Sequence, residues 1–111
     1  MAANPSFMAG VPELLVLRLL QDRAMYGYEI VAAIAAVTGR VVAPKEGVIY
    51  PLLHDLEKEG LLRAEARPAG GRTRVYYTLT SRGVRRLFDL TDHWTRLHNA
   101  VTRTLLGGIR S

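Results

Sequence analysis

The sequence holds 111 residues, 49% of them apolar, which suits one domain with its own core and leaves little room for a second. It has no cysteine, so disulfides, thiolate catalysis and cysteine-ligated zinc are excluded, and no dense acidic cluster surrounds His54, His93 or His98. The net charge is +5, yet the segment from Arg63 to Arg86 alone carries seven arginines against one acid, Glu65, so the whole excess sits in one short stretch and suits a polyanionic partner.

Residues 1–10 read as a flexible arm without the basic start and long apolar run of a signal peptide. A helix then opens at Pro12 and Glu13, where a proline fits the first turn and an acid complements the dipole. Its run from Leu14 to Leu20 is apolar on nearly every side, which predicts a central helix ending near Asp22 and Arg23. The same run is broken by Arg18 and is too short to span a bilayer, so a soluble cytoplasmic protein with no membrane partner is expected.

A second helix is predicted from about Gly27 to Thr38, with Ile30, Val31, Ile34 and Val37 at helical spacing, Gly39 as its C-cap and a short strand at Arg40 to Val42. The third helix spans Glu46 to Lys58. Ile49, Leu52, Leu53 and Leu56 form its apolar face, while Lys45, Tyr50, Pro51, His54, Asp55 and Lys58 lie on the polar side, with Pro51 within the first turn or so. After Gly60 come two strands, Leu61 to Ala66 and Thr73 to Leu79, joined by a turn from Arg67 to Arg72 whose tip carries Arg67, Arg72 and Arg74.

Thr80 or Ser81 can cap a last helix running to about Leu106, about 40 Å long at the helical rise. Val84, Leu87, Thr91, Trp94, His98, Val101 and Leu105 recur at alternating spacings of three and four, and Leu90 and Leu97 widen the stripe. So long an apolar face on so small a body needs another subunit. The expected fold is therefore mainly α with a small β-hairpin: a winged helix-turn-helix over residues 11–80, a dimerisation helix over 81–107 and a tail at 108–111.

Four segments resemble the PadR family of transcriptional regulators. Tyr26-Gly27-Tyr28-Glu29-Ile30 is similar to the opening of that family's second helix. Gly47-Val48-Ile49-Tyr50-Pro51-Leu52-Leu53 and then Leu56-Glu57-Lys58-Glu59-Gly60-Leu61 are similar to its third. Arg74-Val75-Tyr76-Tyr77-Thr78-Leu79-Thr80 is similar to its wing strand. The resemblance runs from about residue 11 to 106 and fits the short subfamily, with one helix after the wing. Val48, Ile49 and Val75 depart from the usual residues.

The resemblance implies a dimeric repressor on double-stranded DNA at a pseudo-palindromic operator. Tyr50, Pro51, His54 and Lys58 would face the major groove, Lys45 and Tyr28 the phosphates, and Arg67, Arg72 and Arg74 the flanking backbone or a minor groove. Leu87, Leu90, Trp94, Leu97, Val101 and Leu105 would form the dimer seam. Trp94 has two readings: an aromatic in the dimer core, or, as in short multidrug-responsive relatives, a platform for a small planar aromatic effector. Arg82, Arg85 and Arg86 either extend the DNA surface or solvate the long helix.

No catalytic grouping, metal site or cofactor motif is present in the sequence, since Gly70-Gly71 lies at a hairpin tip and offers no helix N-terminus to a phosphate. A winged helix used for protein contacts is the remaining rival, and its charged surface argues against it.

Overall fold

The computed structural model describes residues 7–107, so most of the expected N-terminal arm and the tail at 108–111 lie outside the described residues. Helix α1 (Val11–Asp22) carries Pro12 in its first turn and buries Val16, Leu17 and Leu20. The backbone turns extended at Arg23 and ends the helix. Two residues later comes a strand with no counterpart in the sequence reading, β1 (Met25–Tyr26), followed at once by α2 (Gly27–Val37). Glu29 secures that start, its Oε1 accepting a hydrogen bond from the Tyr26 backbone N–H at 3.2 Å.

The strand expected at Arg40 to Val42 does not form. Thr38 captures the chain: its hydroxyl donates to the Ile34 carbonyl at 2.8 Å and accepts from the Val42 N–H at 3.1 Å, while Gly39 and Arg40 both take positive φ. These bonds satisfy the backbone locally and replace a ladder.

Helix α3 (Glu46–Lys58) buries Ile49, Leu53 and Leu56 and half-buries Leu52, the face expected from its spacing. Pro51 sits in the second turn, not the first. The carbonyl it deprives of a partner, four residues back, belongs to Gly47.

Strands β2 (Leu62–Ala69) and β3 (Arg72–Leu79) form a longer hairpin than the sequence suggested, joined only by Gly70 and Gly71. Both glycines have positive φ, as a two-residue hairpin turn requires. Arg67, Pro68, Ala69 and Arg72 are thus strand residues, and Arg67 lies directly opposite Arg74. The sheet order β1-β3-β2 leaves β2 on an edge, where Pro68 is tolerated. With this hairpin packed on three helices, the fold is a winged helix-turn-helix.

Helix α4 (Ser81–Leu105) starts from a four-way junction at Thr80. The Thr80 hydroxyl accepts from the Gly83 N–H at 3.1 Å and donates to the Gly60 carbonyl at 2.6 Å, while its own N–H donates to the Leu61 carbonyl. One residue therefore ties the exit of α3 and the start of β2 to the end of β3 and the first turn of α4. Leu87 is 3% exposed and belongs to the core of its own chain, which removes it from the expected dimer seam; Leu90 is half-buried against the same core. From residue 91 to 101 every side chain is exposed, and the molecule extends to 60 × 31 × 21 Å.

Candidate nucleic-acid interface

The outer side of α3 and the hairpin enclose an open groove of about 640 Å³. Tyr50 and His54 line it from α3, Arg72 and Arg74 from β3, and Tyr26, Gly27 and Tyr28 from the β1–α2 junction. Five residues singled out in the sequence, Tyr28, Tyr50, His54, Arg72 and Arg74, therefore share one concave surface. Tyr77, buried on the inner face of the sheet, forms part of its floor. Burial raises its phenol above the ordinary tyrosine range, with the charge of Glu57 and the neighbouring Tyr50 adding to the effect.

Other expected contacts lie apart. Pro51 borders a recess on the far side of α3, with Glu13, Val48, Leu52 and Asp55. Lys45 lines a third hollow with Arg40, Ala32 and Ala36. Lys58 is exposed in the last turn of α3. Arg67 is held by Glu65 at 2.7 Å, and Arg86 by Glu13 at 2.9 Å, so Arg86 joins α4 to α1.

The outer face of the sheet carries an arrangement that sequence reasoning missed. The Arg74 guanidinium lies 4.3 Å from the centre of the Tyr26 ring, and that of Arg67 lies 5.0 Å from the centre of Tyr76. The two rings meet edge to face, 5.5 Å apart at 72°. Only the register, with Tyr26 opposite Tyr76 and Arg67 opposite Arg74, brings these four together.

Trp94 occupies a second location. With Phe7, Met8, Val11, Leu14, Leu15, Thr38, Val41 and Val42 it lines an apolar recess of about 370 Å³. The His98 ring lies one turn further along α4, 5.9 Å from the indole and tilted by 30°. Beyond it Leu97, Val101 and Leu105 continue an exposed apolar row. Among the described residues no helix is long and apolar enough to cross a membrane, and no group of three or more His, Cys, Asp or Glu is placed to hold a metal ion.

Comparison with known proteins agrees with this architecture. The family model of the transcriptional regulator PadR-like family matches residues 16–89. An uncharacterized protein of Lysinibacillus sphaericus is 31% identical over 88 residues, which span 78% of this chain and 81% of that protein. A PadR family transcriptional regulator from Eggerthella lenta DSM 2243 superposes with a TM-score of 0.79 at 31% identity, over 90% of this chain and 86% of that one. Bacillus subtilis PadR, solved in complex with operator DNA, superposes with a TM-score of 0.68 at 29% identity, over 74% of this chain and 46% of that one. The chain belongs to the transcriptional regulator PadR-like family, a family of regulators and not of enzymes.

Proposed function

We propose that this protein is a cytoplasmic, homodimeric repressor that binds a pseudo-palindromic operator and is released by a small planar aromatic compound at Trp94. The groove between α3 and the hairpin carries the reading. Its two walls present hydrogen-bonding side chains on a helix and, on a strand, arginines that form no ion pair among the described residues, the combination needed to read base edges while gripping the adjacent backbone. The operator complex of Bacillus subtilis PadR, a protein of similar fold, supports it.

In this reading residues 11–80 form the DNA-binding unit and residues 81–107 the dimerisation helix. Helix α3 enters the major groove with Tyr50 and His54 towards base edges. Arg72 and Arg74 follow the flanking phosphates, Tyr28 and Lys45 add contacts on the α2 side, and Lys58, Pro51 and Arg67 lie at the margins. Trp94, Leu97, Val101 and Leu105, exposed in the single chain, pair with the same row of a second copy, helped by Leu90 and α1. An aromatic compound stacked on Trp94 favours a dimer whose recognition helices no longer match the operator spacing.

A fluorescence-anisotropy titration against the upstream promoter duplex and a scrambled duplex, at two salt concentrations, tests the reading. Tighter, salt-sensitive binding to the promoter is expected. Equal, weak binding to both would instead favour a winged helix used for protein contacts. A promoter–reporter assay separates repression from activation.

A further inference from the structure

We propose that Tyr26 and Tyr76 are positioning residues for DNA binding, aromatic platforms that hold the wing arginines in place before DNA arrives. The proposal rests on the DNA-binding reading. Arg67 and Arg74 are direct register partners on one face of the hairpin, where like charges repel and would drive the side chains apart. Each guanidinium instead lies over a tyrosine, and the two tyrosines meet edge to face, so Arg67, Tyr76, Tyr26 and Arg74 form one continuous row of contacts.

The two ends of the row differ. Arg67 also meets the Glu65 carboxylate, which offsets its charge locally. Arg74 forms no ion pair among the described residues and lines the groove. A ring face fixes the guanidinium plane without consuming its charge or its N–H donors, so Arg74 keeps its full capacity for a phosphate. The platform beneath it is well anchored. Tyr26 pairs with Tyr76 in the sheet, its N–H is bonded to Glu29, and α2 begins at the next residue. Tyr26 thereby couples the start of α2 to the wing.

The test is a double-mutant cycle on binding to a short random-sequence duplex across a salt series, using Tyr26→Leu, Arg74→Ala and the pair. Arg74→Ala is expected to weaken binding and flatten the salt dependence by about one unit of slope. Tyr26→Leu is expected to cost about threefold in affinity with the slope unchanged, because the charge still reaches the phosphates. It costs nothing further in the Arg74→Ala background, and Tyr26→Phe, which keeps the ring, retains full affinity. Equal losses from Tyr26→Leu in both backgrounds would mean ordinary packing and overturn the proposal. An unaltered affinity and slope in Arg74→Ala would overturn it too, and would count against DNA contact by the wing itself. A readout independent of folding in the Tyr26 variant is the Arg74 Hε resonance of the DNA-free wild type, expected upfield through the ring current of Tyr26; an unshifted resonance removes the platform.

Discussion

The Cε1 edge of the Tyr50 ring on α3 lies against Gly27 at the start of α2, in the space a Cβ at position 27 would occupy. The contact joins the two helices at the edge of the groove and fixes where Tyr50 stands. Gly27→Ala has to swing the exposed ring outward into the groove. Stability is expected to change by less than about 1 kcal/mol, since the ring has room to move and alanine favours the helix. DNA affinity is expected to fall about tenfold. Adding Tyr50→Ala removes the clash, so in paired melting and anisotropy measurements the two substitutions should be non-additive.

Gly83 presents the opposite case. A Cβ there would meet the Leu61 backbone carbonyl and the Leu79 side chain at the base of α4. Neither the carbonyl nor the buried start of the helix can yield as an exposed ring does. Gly83→Ala is expected to cost about 2–3 kcal/mol, read as a lower urea midpoint with unchanged slope.

Tyr77 sets an alkaline limit. Burial raises its phenol above the ordinary value of 10.0, with Glu57 and Tyr50 contributing, so the folded protein holds this proton more tightly than the unfolded chain. Its contribution to stability is whole below pH 10 and is lost as the pH rises from there through the folded value. Melting temperatures of Tyr77→Phe should decline less above pH 10 than those of the wild type.

The dimer reading makes a sharper demand on the far half of α4. Leu97→Glu with Val101→Glu touches no core residue, so far-UV circular dichroism should be retained while light scattering reports a monomer. Operator affinity should fall at least a hundredfold as cooperative two-site engagement is lost. A dimer that survives both charges would place the interface elsewhere. Trp94→Ala, measured on its dimeric fraction, should lower affinity for a planar aromatic dye at least tenfold; equal dye binding would exclude the platform.

Local chemistry made much of this legible. The i, i+3, i+4, i+7 pattern places α3 and its buried face, and Thr80 with Ser81 marks the start of α4, where the structure selects Thr80 as the cap. What escaped depended on partners distant in sequence. Two residues are too few to show alternation, so β1 exists only because Tyr76 and Tyr77 of β3 complete it. The hairpin runs further than its turn-forming composition implies, because an edge strand accommodates Pro68. Leu87 continued the apolar row of α4 so regularly that nothing in its spacing separated it from Trp94; only the body packed against it did. Of the groove, the residue types were visible, but not that Pro51 and Lys45 line other hollows or that two tyrosines carry the wing arginines.

The junction at Thr80 contains no linker. The last residue of β3 and the first of α4 flank a single threonine bonded to the Gly60 carbonyl, and Leu87 and Arg86 pin the next turns of α4 to the core and to α1, so the base of the long helix is one piece with the winged body. In the proposed dimer, a rotation of a few degrees where two such helices meet would arrive at the α3 helices as a displacement of whole ångströms, without any segment unfolding. In that proposed dimer, control over DNA spacing is mechanical advantage: the length of α4 would convert the modest push of a compound at Trp94 into a mismatch of register.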